Sequence, residues 1–398
     1  MSSLPLEKVK VLDLSNLLAG PMLAMYLADF GADVIKVEQP SGGDEMRRWG
    51  RSKNGVGLFY KMINRNKKCV TLNLRSPKGQ EIVRRLVAEV DVVVENFRPG
   101  RMEKWGLGYD TLRAINPGLV MVRVSGYGQS GPYSTRPGFG TIAEALSGCA
   151  AITGYSDDNP LLPSFGLGDG SAAIFGAFGT MLALFNRANN GGKGQVVDVS
   201  LYEGLFTLLG PQVVDFDQLG VLQRRNGSRL PFVAPRNTFR TSDERWIAIA
   251  GSTQTTFERM ARALGLDDML SDPKFASNEQ RITNCEELDE RIQERIAHMS
   301  YAEAMQALVS SEAPAGPVND VENFLDDPHF QARENVVSVD DDELGPIRMQ
   351  NVVPKLTGTP GKVKWAGGKI GQFNKEIYAG LLKMSASEIG DLRQQGII

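Results

Sequence analysis

Short, almost unbroken aliphatic runs separated by helical stretches are the feature that most narrows what this chain can fold into. Val9 to Ser15 (VKVLDLS) is one such run. Pro21 opens a helical stretch lasting to Phe30, Gly31 ends it, and Ala32 to Glu38 (ADVIKVE) returns to the extended pattern. The unit recurs: Cys69 to Leu74 is strand-like, Ser76 and Pro77 cap and start a helix to about Glu89, and Val90 to Phe97 (VDVVVENF) is a buried strand. Leu119 to Ser125 adds another. Strands apolar at nearly every position must be covered on both faces, which predicts an α/β fold with a parallel sheet.

At 398 residues the chain exceeds what one core usually supports, so two domains are expected. Beyond Thr141 the text turns to small-residue helices, ALSGCAAITG and then Ser171 to Arg187, closed by a strand over Gln195 to Ser200. The turn-rich stretch Asp215 to Asn237 looks like a linker. Arg245 to Gly251 is strand-like, three helical stretches follow up to about Ser311, and Ser300/Glu303 and Ser385/Glu388 are capping boxes.

A net charge of −3 argues against a nucleic-acid partner. The N-terminal text lacks the basic and apolar regions of a secretion signal, and no run of about 18 apolar residues suggests a membrane span. Three scattered cysteines, Cys69, Cys149 and Cys285, fit neither a disulfide framework nor a zinc site. A cytoplasmic protein without metal is expected.

Four constellations bear on chemistry. Gly126 to Gly131 (GYGQSG) formally fits a dinucleotide fingerprint, but Pro132 and polar residues stand where the phosphate-binding helix should begin, which favours a plain turn. Asp169 lies in GLGDG just before the long small-residue helix. It is either an N-cap or, with Gly168 and Gly170 leaving it unshielded, a carboxylate nucleophile that needs no partner base. The only histidines, His298 and His329, are far from any glycine motif, so Ser-His and Cys-His pairs are not expected. Finally, Asn96, Phe97 and Arg98, the Leu72, Asn73, Leu74, Arg75 run, and Lys104 gather beyond strand ends, where open α/β sheets bind ligands.

Several ordered segments together resemble the class III CoA-transferases, the CaiB/BaiF family. They are DLSNLLAGPMLAMYLADFGADVIKVEQP, GGDEMRRWG, INRNKKCVTLNLRSPKG, DVVVENFRPG, VRVSGYGQSGPY, the Asp169 segment and GKGQVVDVSLYEG, followed by APRNTFRTSDERWIAIA and AGPVNDVENFLDDPHFQAR. The resemblance implies a large domain with a Rossmann-like sheet built from both chain ends (1–214 and 326–398), a linker (215–237), and a smaller α+β domain (238–325). It also implies an interlocked homodimer, whose chains pass through each other against the usual rule.

Carried over by position, the family nucleophile falls on Asp169. The CoA contacts fall on Leu17, Leu18, Ala19, Gln39, Leu72 to Arg75, Asn96 to Arg98, Lys104, and Arg136, Pro137, Gly138, Phe139 and Gly140. A flap falls on Gly251, Ser252, Thr253 and Gln254. Coenzyme A would be a substrate, with an acyl-CoA donor and a free carboxylic acid as partners and no cofactor. Members using formyl-CoA carry Gln where this chain has Leu18 and Tyr-Glu at Phe139-Gly140, which argues against formate and oxalate. The related 2-methylacyl-CoA racemases carry His-Asp at Phe139-Gly140, so racemisation lacks its proton carrier. A CoA-binding protein without catalysis is the remaining alternative. Arg47, Arg48, Arg224, Arg225 and Arg229 raise a dicarboxylate such as succinate as one candidate acid.

Overall fold

A computed structural model describes residues 4–398. By its internal contacts the chain divides into two units. The first comprises residues up to Cys149, Leu162–Gly210 and His329–Ile398, and the second comprises Ala150–Leu161 and Pro211–Pro328. The stretch 215–237, read as a linker, thus belongs to the second unit, and its first five residues lie in the helix Gln212–Leu219.

The first unit is built on six parallel strands: β1 (Lys10–Asp13), β2 (Asp33–Glu38), β3 (Lys67–Thr71), β4 (Val92–Glu95), β5 (Val120–Ser125) and β6 (Val196–Ser200). Their order is β3-β2-β1-β4-β5-β6, with Leu12 opposite Ile35 on one side and Val93 on the other. This doubly wound order reverses direction between β1 and β4, and ligands of such sheets bind outside the strand ends at that switch point.

Strand side chains alternate between two cores. Leu12, Ile35, Val70, Val93 and Met121 pack with Ile82 and Leu86 of the helix Pro77–Val87 and with the C-terminal residues Ile397 and Ile398. Val11, Val34, Val92, Val122 and Val124 face the helices Ala19–Asp29 and Leu167–Asn189. Each fully buried aliphatic side chain contributes roughly 1.5–3 kcal/mol, so double coverage is the principal source of stability in this unit. The C-terminal segment is tied back to β3: Thr71 N–H donates to Asn374 Oδ1 (2.9 Å), and Tyr378 Oη donates to the Thr71 carbonyl (2.5 Å).

Helix Leu167–Asn189 starts four residues earlier than the sequence suggests, which places Asp169 inside its first turn. The helix is also long and apolar enough to cross a membrane by length and composition, contrary to the sequence expectation. Its glycines explain the composition as packing. A Cβ on Gly176 would sit 2.3 Å from Leu23 Cδ1, and one on Gly179 would sit 2.8 Å from Val197 Cγ1. One side of the helix is therefore pressed against the sheet and its neighbouring helix.

The second unit contains an antiparallel sheet of β7 (Arg236–Arg240), β8 (Trp246–Ala250) and β9 (Ala315–Pro317), in the order β9-β8-β7. Helices Gln254–Ala263, Cys285–Ala297 and Tyr301–Ser310 supply its core with Phe257, Met260, Ile292 and Leu308. The capping boxes at Ser300 and Ser385 both form. A hairpin of β10 (Val336–Asp341) and β11 (Gly345–Gln350) completes the first unit.

Candidate active site

The switch point is closed by one side chain. Asn96, the first residue beyond β4, accepts from Asn16 N–H through Oδ1 (2.8 Å) and donates from Nδ2 to the Asn16 carbonyl (2.7 Å). This reciprocal pair fixes the loop after β1. The next residue, Leu17, has φ +62°, a left-handed conformation that costs a leucine about 1–2 kcal/mol and persists only when its surroundings impose it.

Buried charge supplies that imposition. Leu17 N–H donates to Asp44 Oδ1 (3.1 Å), and Asp44 Oδ2 lies 2.8 Å from Lys36 Nζ, with both side chains fully buried. Lys36, midway along β2, also donates to the Ser15 carbonyl. Burial opposes its charge, but Asp13 and Asp44 hold the ammonium pKa above its ordinary value. Asp13 in turn pairs with Lys67 at 3.0 Å. Alongside, Arg47 makes a two-pronged bond to Glu38, 2.7 Å to each oxygen. The loops carrying residues 15–17 and 39–48 are thus pinned to β2 from beneath.

Two cavities open above this platform and share Asn16, Leu17, Asn96, Phe97, Arg98 and Phe139 as walls. The larger, about 830 Å³, is also lined by Gln39, Leu72, Leu74 and Arg75. Its wall also holds Arg48, which the sequence raised only as a partner for a second carboxylate, and Arg101 and Trp105, which gave no signal there. Arg48, Arg75, Arg98 and Arg101 present four guanidinium groups here, a donor set suited to phosphates. Phe97 and Trp105 meet edge to face with ring centres 5.0 Å apart, giving the cavity an apolar wall.

The smaller cavity, about 210 Å³, holds Leu18, Ala19, Arg136, Pro137, Gly138 and Asp169. Arg136 is held over the Tyr133 ring at 3.6 Å. Gly140 does not line the cavity but decides its chemistry, because a Cβ there would lie 2.1 Å from Asp169 Oδ2. Gly166 likewise makes room, with Leu18 Cδ2 2.8 Å from its missing Cβ, whereas nothing lies within 4 Å of a Cβ on Gly170.

Asp169 is half-buried, and its pKa is pushed up to about 6, first by burial and then by the carboxylate of Glu144. It remains mostly ionised at neutral pH, though less readily than an unperturbed aspartate. The flanking glycine N–H groups are engaged rather than free to stabilise an oxyanion: Gly168 N–H donates to Glu144 Oε1 (3.1 Å) and Gly170 N–H to the Gly166 carbonyl (2.9 Å). Glu144 itself gave no signal in the sequence, being one polar residue in a small-residue helix.

Other candidate residues lie apart. Asn73 lines neither cavity; its Oδ1 accepts from Arg75 N–H (3.1 Å), making it a turn residue. Lys104 is exposed at the end of the turn Arg101–Lys104. The segment Gly251 to Gln254 is in the second unit, where Thr253 caps the helix Gln254–Ala263 and Gln254 Oε1 accepts from Arg281 (2.8 Å). Gly251 is explained by contact, since a Cβ would meet the Pro235 ring at 2.9 Å. Of the arginines considered for a second carboxylate, Arg47 is committed to Glu38 and Arg229 to Asp289 (2.6 Å), while Arg48 reaches the larger cavity. GYGQSG is a turn without a following helix, its Gln129 N–H held by Asp198 (3.0 Å).

Comparison with known proteins then decides the family, because the model for "CoA-transferase family III" matches residues 6–374. The chain belongs to CoA-transferase family III. Succinyl-CoA–D-citramalate CoA-transferase of Chloroflexus aurantiacus is 44% identical over 99% of this chain and 98% of its own length. The succinyl-CoA–L-malate CoA-transferase beta subunit of the same organism is 39% identical over 100% and 99%. Among solved structures, a CaiB/BaiF family protein from Brucella suis superposes with a TM-score of 0.84 at 32% identity, covering 96% of this chain and all of that one. This CoA-transferase thus carries its family's segments on the strand ends where the two cavities lie.

Proposed function

We propose that this enzyme moves CoA from succinyl-CoA to a second dicarboxylic acid through covalent intermediates on Asp169. The observation that carries the reading is the placement of an ionisable, half-buried carboxylate in a small cavity that adjoins a larger one walled by arginines. The larger cavity suits the phosphates of CoA, and the smaller one suits a short acyl group.

In the first step an Asp169 oxygen attacks the thioester carbonyl carbon, the C–S bond breaks, and CoA leaves as thiolate with a mixed anhydride behind. The thiolate then attacks Asp169 Cγ and expels the original acid as carboxylate, leaving an aspartyl-CoA thioester. The incoming carboxylate runs both steps in reverse. Each exchange trades activated acyl groups of similar energy, so the protein's task is positioning and exclusion of water.

Succinyl-CoA is favoured as donor by the relatives, both named for it, and by the small cavity, where Arg98 and Arg136 offer cationic partners for a distal carboxylate. Assay of succinyl-CoA against butyryl-CoA should show a preference of at least about 100-fold in kcat/KM, the size expected when buried polar groups lose their partner. Equal use of both donors would remove the dicarboxylate assignment. For the covalent step, Asp169→Ala and Asp169→Asn should abolish turnover while CoA binding survives, and hydroxylamine added during turnover should convert residue 169 to a hydroxamate.

We further propose a homodimer. Ile174, Phe178, Met181 and Phe185 on the outer side of helix Leu167–Asn189 are exposed, and the first three border or line an apolar cavity of about 610 Å³ with Tyr26, Phe30 and Leu356. A contiguous apolar surface of this kind calls for a covering partner, and a second copy of the chain fits the family resemblance.

A further inference from the structure

Helix Leu167–Asn189 begins beneath two carboxylates. Asp169 faces the small cavity, whereas Glu144, on the helix Gly140–Leu146, is 3% exposed and accepts from Gly168 N–H at 3.1 Å. Among the described residues no lysine or arginine forms an ion pair with Glu144. A buried carboxylate with one backbone donor and no counter-ion is costly to keep, and this one sits a single peptide unit from the proposed nucleophile.

We propose that Glu144 is a positioning residue whose fixed negative charge, held at the helix N-terminus, disfavours the anionic form of Asp169 and so promotes its acylation. The proposal rests on the reading of Asp169 as nucleophile. Its logic is charge accounting: when Asp169 attacks the thioester, the negative charge departs on the CoA thiolate, and when the thiolate attacks Cγ, it departs on the released acid. In the anhydride and in the aspartyl thioester residue 169 is uncharged, so repulsion from Glu144 is present in the free enzyme and absent in both intermediates. The elevated pKa of Asp169, due to burial and then Glu144, agrees with this arrangement.

Other charged groups on the surrounding elements are differently placed. Arg98 and Arg136 stand on the cavity wall, Glu203 is held by Ser200 Oγ (2.7 Å), and Asp198 is held by Gln129 N–H. On β5, Arg123 is taken up by Glu95 and Glu103, and at the far end of helix Ala19–Asp29 Asp29 is paired with Arg65.

Glu144→Gln tests the proposal, since its amide oxygen can still accept from Gly168 N–H while the charge is gone. With succinyl-CoA at equilibrium, the fraction of enzyme trapped by hydroxylamine at residue 169 should fall about tenfold, and the acid limb of kcat/KM should move down by about one pH unit, the same tenfold factor. CoA binding should be unchanged. Glu144→Asp retains charge and should keep the wild-type acid limb, which guards against a folding defect in the amide variant. A wild-type limb and trapped fraction in Glu144→Gln, or a Glu144→Asp limb displaced as far as that of Glu144→Gln, overturns the role. Absence of any hydroxamate in active wild-type enzyme instead removes the nucleophile reading, and this role with it.

Discussion

Asp169 is the residue where sequence and surroundings diverge most usefully. Its glycine frame was visible in the text, but its environment was not, because burial and Glu144 act through space. Since the proposed nucleophile must be ionised, kcat/KM should fall as pH drops through about 6 rather than through the usual aspartate range near 4. Stability carries the opposite sign. A carboxyl whose folded pKa exceeds its unfolded value contributes stability that is present below about 3.8 and lost as pH rises through about 6. Asp169→Asn should therefore melt higher than wild type at pH 7.5, by about 1–2 kcal/mol after allowance for partial exposure, with the gain gone near pH 4. Gly140 is the complementary case. Gly140→Ala places a methyl 2.1 Å from Asp169 Oδ2, so the carboxylate must shift, and a loss of about 100-fold in kcat with near-normal melting is expected.

At the scale of single elements, the β-α-β units were legible because their strands are almost wholly apolar and their helices carry start and stop signals. The helix predicted from Ser76 and Pro77 runs from Pro77 to Val87, and the strand predicted in VDVVVENF is Val92–Glu95. Less legible were the charges inside those strands. Asp13, Lys36 and Lys67 read as ordinary polar interruptions, yet all three are fully buried and brace the loop at Leu17. That role depends on partners outside the strand that carries each residue, eight residues away for Lys36–Asp44 and 54 for Asp13–Lys67, which periodicity does not report. Breaking the brace should be expensive: Asp44→Asn removes the ion-pair partner of the buried Lys36 ammonium, leaving Asp13 to compensate in part, and should cost about 2–3 kcal/mol in urea unfolding. Replacing both members by apolar residues, Lys36→Met with Asp44→Leu, should recover much of that stability. KM for the acyl-CoA should rise in the double variant, because Asp44→Leu removes the acceptor of Leu17 N–H that Asp44→Asn keeps. Recovered stability with an unchanged KM would show that the pair serves stability alone.

For the molecule as a whole, a parallel sheet was predictable but its strand order was not, since apolar runs do not say on which side each crossover returns. In the order β3-β2-β1-β4-β5-β6 the adjacency of β1 and β4 places Asn16 and Asn96 side by side at the switch point, where the two cavities lie. The first unit is also assembled from three stretches of chain, leaving after Gly210 and resuming at His329. A chain that departs from a domain and returns to it forms a loop that a second copy can thread, which would give the proposed dimer, if interlocked as the family resemblance implies, a physical route despite the usual rule against threading. Such a dimer cannot separate by simple dissociation. Sedimentation should therefore give twice the chain's mass even at nanomolar concentration, and differently tagged preparations should exchange subunits only after denaturant has unfolded them. If dilution alone yields monomers, or tags scramble in native buffer, the exposed apolar side of helix Leu167–Asn189 is covered by an ordinary reversible contact and the chains are not linked.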